Sequence, residues 1–396
     1  MNLLVIARYI PMPDRGSGEL RFFSLLRILC NAHRVTLYTW ACAQDVDEDA
    51  RRRYQSDVVA LGVNHQTGGL RSLLQRENFD AVMFEYYYSV GWYLEDVKAW
   101  QPDARIIIDT VDLEFRRLAL QARFLKPSPA KSLGGVKLDE IEAYAKADLV
   151  ITVSNEERDI LAKELPNIEI MVVANVHVFD ASLPDLAIDP NLVFVGNFRF
   201  EPNIDAAQYL CGEIWPLVRR QVPAARLRIV GNAPPPGVRA LAGDGIEVLG
   251  YVPDLRPYLS ASRVSVAPLR FGAGVKGKIG EAIAFGLPVV TTSIGIQGMP
   301  LVPNRDVLIG DSAASFADAV VKLLRDIHLC DSMRRSAKDH LTDEFGVQAA
   351  ERRIKQLLER VEQLPPNPRR LHLRWIRKSK YWFEQHLLWL FPKNVG

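Results

Sequence analysis

A chain of 396 residues and 44.6 kDa is long for a single hydrophobic core and comfortable for two. Its 48% hydrophobic and 24% charged residues exclude a disordered or fibrous protein. The net charge of +2 is uneven: residues 363–396 carry seven Lys and Arg against Glu384 alone, a balance of +6, which leaves residues 1–362 at −4 and argues against a body built to bind nucleic acid.

The first apolar run has no basic segment before it, so residues 3–7 are predicted as a strand rather than a leader, and no window approaches the ~18 apolar residues of a membrane span. Cys30, Cys42, Cys211 and Cys330 are too scattered for a disulfide framework or a thiolate metal site, which fits a reducing cytoplasm. The segment Pro13-Asp-Arg-Gly16-Ser-Gly18-Glu-Leu-Arg21 reads as a loop into a helix over 22–32, whose inner face is Phe22, Leu25, Leu26 and Leu29. A dinucleotide fingerprint would need a glycine where Arg21 stands, so this is a ligand-lining loop or a plain turn rather than an NAD site.

Strands predicted over 35–38, 81–85, 106–109, 149–153 and 168–173 alternate with amphipathic segments, the pattern of a doubly wound α/β sheet. Glu85 and Asp112 fall at the C-terminal ends of two of these strands, where open α/β sheets bind ligands, and are the candidate catalytic carboxylates. Asp109 can equally cap a turn. Arg116, Arg117, Arg123, Lys126 and Lys131 read as solvated charges or as part of a membrane-facing surface, and His177 as a hinge residue or a cleft residue. Residues 180–190 read as a linker, after which strands over 192–195, 226–230, 246–249 and 264–268 restart the alternation, followed by helices over 315–325 and 347–362.

Within this second half the run from Val264 to Thr292 is the richest in chemistry. A buried strand breaks into a loop with Gly272, Gly274 and Gly277, and a short apolar-spaced helix begins beside it. Unpaired amides at that helix start favour an anion, Lys276 and Lys278 add two positive charges, and Glu281, expected in about the first turn, suits the vicinal hydroxyls of a ribose. Diphosphate beside polyol describes a nucleotide sugar. Gly196-Asn-Phe-Arg199 follows another strand, and its guanidinium can fork onto phosphate oxygens, while Asn203 reads as a helix cap. At 100° per residue, 369–391 places Trp375, Trp382 and Trp389 on an apolar side and Arg370, Arg374, Arg377 and Lys378 on the other, either an interfacial helix for an anionic membrane surface or a helix docked on the protein.

These residues, with Gly250-Tyr-Val-Pro-Asp254, Leu227-Arg-Ile-Val-Gly231 and Ala147-Asp-Leu-Val-Ile-Thr-Val-Ser-Asn-Glu156, resemble the retaining GT-B-fold glycosyltransferases of family four, also called glycosyl transferases group 1, in a subgroup with a Gly-x-Gly-x-Lys-x-Lys loop. The resemblance implies an α/β protein of two Rossmann-like domains facing an interdomain cleft: an acceptor-side domain (1–179), linker (180–190), donor domain (191–345), crossover helix (346–364) and basic aromatic tail (365–396). It implies Gly16, Gly18, Gly196, Arg199, Gly274, Lys276, Lys278 and Glu281 as donor-binding residues; with no paired-carboxylate motif beside the donor loop, no metal is expected, and no cofactor beyond the nucleotide diphosphate sugar itself. Two positions depart from the family's pattern: Ala273 stands where many members have a sugar-touching Glu, and Ile204 where a Lys is usual. The implied partners are a nucleotide sugar donor and a saccharide or lipid-linked acceptor, and the implied location is cytoplasmic, resting on the inner membrane face if the tail is interfacial. An epimerase of GT-B shape and an inactive nucleotide-sugar-binding protein are the alternatives.

Overall fold

Strands that are apolar along their whole length need cover on both faces, and parallel pairing with helical crossovers supplies it. The computed structural model describes residues 1–43, 46–122, 133–180 and 182–364. The first half runs β1 (Asn2–Ala7), α1 (Ser17–Cys30), β2 (Arg34–Thr39), α2 (Glu48–Ala60), β3 (Asn64–Thr67), α3 (Leu70–Arg76), β4 (Ala81–Glu85), α4 (Tyr87–Trp100), β5 (Arg105–Asp109), α5 (Glu114–Gln121), α6 (Leu133–Tyr144), β6 (Leu149–Thr152), α7 (Asn155–Glu164) and β7 (Glu169–Val172). Its seven strands form one parallel sheet in the order β3-β2-β1-β4-β5-β6-β7. The edge strand β3, Asn-His-Gln-Thr, carries no apolar signal and escapes sequence reading.

The second half runs β8 (Asn191–Val195), α8 (Glu201–Tyr209), a π-helical turn (Leu210–Ile214), α9 (Trp215–Gln221), β9 (Arg226–Val230), α10 (Pro236–Arg239), β10 (Ile246–Gly250), α11 (Arg256–Ser260), β11 (Val264–Ala267), α12 (Gly277–Ala284), β12 (Val289–Thr291), β13 (Leu308–Ile309), α13 (Ala313–Arg325), α14 (Ile327–Phe345) and α15 (Val347–Gln363). Six parallel strands take the order β10-β9-β8-β11-β12-β13. The chain then returns to the first sheet, where Ile354, Leu357, Leu358 and Val361 of α15 pack among Leu25, Leu29 and Met83.

One expected boundary is wrong. Helix α1 begins at Ser17, not at residue 22, so Gly18 lies in its first turn rather than in a loop. Arg21 hid the helical period: a charged residue on the inner face, it is 1% exposed and its guanidinium reaches Asp109 at 2.6 Å and the Val173 carbonyl at 2.9 Å. That ion pair ties α1 to the ends of β5 and β7. Asn203 is likewise no cap, because α8 is capped at Phe200 and Asn203 sits in its first turn.

Strand order reverses next to β1 in the first sheet and next to β8 in the second, and crevices at such switch points are where open α/β sheets bind ligands. The loop after β1 faces those after β8 and β11, with Gly16 beside Asn197 and Ser17 beside Gly277, and Asp112 after β5 lies beside Gly274.

Candidate active site

The loop between β1 and α1 fastens the two sheets together. Asp14 accepts hydrogen bonds from Tyr54 (2.6 Å) and Arg53 (2.6 Å) of α2 and from Tyr251 (2.8 Å) beyond β10. The Arg15 guanidinium lies 4.4 Å over the Tyr251 ring and reaches Asn232 at 3.4 Å, while the Arg15 carbonyl accepts from Asn197 at 3.0 Å. These bonds to the Asp14 carboxylate overcome its burial and hold it below its ordinary range.

Helix α1 therefore points its N-terminus at the second sheet, where it meets the N-terminus of α12. A β-carbon at Gly277, the first residue of α12, would lie 2.1 Å from the Ser17 β-carbon, so only glycine permits this approach. Two positive helix ends from different sheets thus converge on one place. Beside them, burial lowers Lys276 to about 8, partly offset by Glu157, and burial with the neighbouring Lys276 charge lowers Lys278 to about 7. Lys276 turns its ammonium onto the carbonyls of Gly274 (2.6 Å) and Ala273 (3.2 Å). Lys278 donates to the Asn203 side chain and sits 4.8 Å over the Phe194 ring. Among the described residues neither ammonium has a carboxylate within ion-pair distance. Glu281 is the fifth residue of α12, at the start of its second turn, and burial alone raises its carboxyl to about 7.

Gly196 follows β8 and donates to the Val230 carbonyl at 2.9 Å, while Gly16 faces Asn197 of the same loop, a β-carbon there lying 3.4 Å from its Nδ2. Arg199 is exposed and acts electrostatically on Glu19 of α1, whose carboxyl burial raises to about 7. Gly274, at φ +68°, forms the apex of the loop after β11; a β-carbon there would lie 3.5 Å from that of Asp112.

On the first sheet, strained backbone marks the ends of β4 and β5. Tyr86 and Val111 both have φ +61°, and for the β-branched valine this is a genuine outlier. The turn at Val111, with the Asp112 amide donating to the Thr110 carbonyl at 2.7 Å, aims Asp112 across the cleft at Gly274. Gly18 packs near both outliers, a β-carbon there lying 3.6 Å from Val111 and 4.0 Å from the Tyr86 hydroxyl. The two predicted carboxylates differ. Burial raises Asp112, and Arg117, whose Nε lies 3.0 Å away, counters it. Burial with the Glu19 and Asp109 charges raises Glu85 well above its ordinary value.

Other expectations resolve differently. Arg116 and Arg117 are not solvated charges: they pair with Glu156 and with Asp112 and Glu114. His177 is buried and neutral, lowered to about 4, with its ring stacked on Phe345 where α14 ends, and a β-carbon on Gly280 would lie 2.3 Å from its Nε2. It holds α12 against the crossing chain. Arg123, Lys126, Lys131 and the tail over 369–391 lie outside the described residues. No helix among the described residues is long and apolar enough to cross a membrane, and none of their His, Cys, Asp and Glu form a group of three that could hold a metal ion. Sequence reasoning named Gly231 only as part of a motif, without its close approach to Gly196, and missed Gly277's contact with Ser17 and the place of Glu157.

Two parallel Rossmann-like sheets facing a cleft, with a C-terminal helix returning to the first, define the GT-B fold. Residues 189–326 match the family described as glycosyl transferases group 1. The fold is similar to that of sucrose-phosphate synthase from Thermosynechococcus elongatus, at TM-score 0.70 and 15% identity over 92% of this chain and 100% of that one. It is also similar to S. aureus TarM in a complex that includes UDP (TM-score 0.70, 9% identity, 90% and 99%) and to Anabaena HepE in complex with UDP and glucose (0.68, 13%, 91% and 99%). In sequence, 146 residues are 25% identical to an uncharacterized 44.6 kDa protein in the cps region of Klebsiella pneumoniae. That match covers 35% of this chain and 38% of that protein's length.

Proposed function

We propose that the chain is a glycosyltransferase that moves a sugar from a nucleoside diphosphate sugar to an acceptor hydroxyl. One observation carries the reading: the N-termini of α1 and α12 converge with Lys276 and Lys278, a concentration of positive charge that a diphosphate would neutralise. Glu281, a turn further along α12, is placed to accept from ribose hydroxyls. As the donor's glycosidic bond breaks, charge grows on the diphosphate, and the helix ends, both lysines and Arg199 stabilise it without a metal. Asp112, beside Gly274, is then the carboxylate proposed to face the sugar, with Glu85 at the end of β4 proposed for the acceptor, and the fastened cleft keeps water from the activated sugar.

The relatives refine this reading. UDP in the TarM and HepE complexes makes UDP the first base to test, and the cps location of the K. pneumoniae protein favours surface polysaccharide or glycolipid assembly in the cytoplasm. Family resemblance supports a retaining outcome.

The test is product analysis by NMR with UDP- and GDP-sugars and no added acceptor. Slow release of nucleoside diphosphate and a sugar of unchanged anomeric configuration is the expected result, and Glu281→Ala should slow it about ten- to a hundredfold through loss of charge-assisted hydrogen bonds. An epimerised nucleotide sugar would identify an epimerase, and donors bound but never turned over would identify a binding protein.

A further inference from the structure

We infer that Glu157, at the corner between β6 and α7, accepts a hydrogen bond from a hydroxyl of the donor's sugar. The inference rests on the transferase reading and adds to it a sugar-recognising residue on the wall opposite the donor loop. Glu157 is 0% exposed, and among the described residues neither oxygen of its carboxyl has a hydrogen-bond partner. The amides of Leu113 and Val153 ease its burial without completing a bond, and burial together with the Asp112 charge raises it to about 7. A buried acceptor left unpaired in this way is costly, so it points to a donor group that arrives with a ligand.

Its position says which ligand. A β-carbon on Gly274, the apex of the loop after β11, would lie 3.8 Å from Glu157 Oε1. The cations nearby are already engaged: Lys276 on the Gly274 and Ala273 carbonyls, Arg116 on Glu156 and Arg117 on Asp112. What remains unmet is a neutral hydrogen-bond donor close to an anion site. A sugar attached to a diphosphate supplies both, the phosphates reaching Lys276 and Lys278 while a hydroxyl reaches Glu157 beside Gly274.

The Ser-x-x-Glu spacing of Ser154 and Glu157 ordinarily signals a capping box, in which the glutamate would bond back to the Ser154 amide. Here only half of the box forms: Ser154 Oγ accepts from the Glu157 amide at 3.3 Å, and the glutamate's own carboxyl is left unpaired.

The test compares wild type with Glu157→Gln in the full chain, by calorimetric titration with UDP and with UDP-glucose, or with GDP and GDP-mannose if the guanine nucleotide is the one bound. The amide keeps the shape and removes a buried charge, so melting temperature should hold or rise. UDP affinity should stay within about twofold while UDP-glucose binds about tenfold more weakly. Equal loss for both ligands would mean that Glu157 acts through Lys276, and no loss for either, or a fall in melting temperature, would mean a structural role; each overturns the inference. If wild type binds no nucleoside diphosphate at all, the transferase reading falls and takes this inference with it.

Discussion

Lys278→Ala is expected to weaken nucleoside diphosphate binding about ten- to a hundredfold at pH 7, the effect of losing a charge-assisted contact, while the bare nucleoside binds as before. The reason is the placement of the ammonium beside the N-terminus of α12, held by Asn203 and the Phe194 ring rather than by a carboxylate. A pH dependence follows. In the free protein Lys278 is lowered to about 7 and Lys276 to about 8, so both lose charge as pH rises through that window. A diphosphate favours the charged forms, so binding takes up protons, and affinity falls as pH rises above 7, approaching tenfold per unit for each proton taken up. Titration calorimetry between pH 6.5 and 9 reads both effects, and Lys278→Ala should flatten the part of the slope nearest pH 7. Equal loss for nucleoside and diphosphate would remove Lys278 from the phosphate site.

Gly231→Ala is expected to be among the most damaging single-methyl changes in the second sheet. A β-carbon there would lie 1.7 Å from the Gly196 carbonyl oxygen and 2.6 Å from its carbon, atoms of backbone that cannot swing aside. The ends of β8 and β9 would have to part, breaking the bond from the Gly196 amide to Val230. A loss of about 3 kcal/mol is the scale of such overpacking, which scanning calorimetry reads as a fall of several degrees, together with impaired nucleotide binding because Gly196 borders the cleft. Gly91→Ala, exposed in α4 with open space around it, is the control and should be neutral or slightly stabilising. A Gly231→Ala protein as stable as wild type would contradict the close approach of the two strand ends.

Sequence reading found the two loops at the switch points because glycines and charges after apolar strands are local signals, and parallel strands buried on both faces read as continuous apolar runs. It failed where the signal was not local. Arg21 entered only as the residue that breaks a glycine fingerprint, because its partners, Asp109 and Val173, are distant in sequence. Ser17 and Gly277 meet only once both sheets have formed. Glu157 was concealed by a spacing that ordinarily means nothing more than a helix start, and the left-handed backbone of Tyr86 and Val111 has no compositional mark at all.

Thermal denaturation of the full chain at pH 7 with UDP, GDP and ADP, each beside its nucleoside, tests the central claim most directly. One nucleoside diphosphate, at about 100 times its Kd, should add about 2.7 kcal/mol of stability, and its nucleoside at the same concentration far less. If no nucleoside diphosphate raises the melting temperature, or if a nucleoside does so as well as its diphosphate, the convergence of α1, α12, Lys276 and Lys278 is not a diphosphate site and the transferase reading fails.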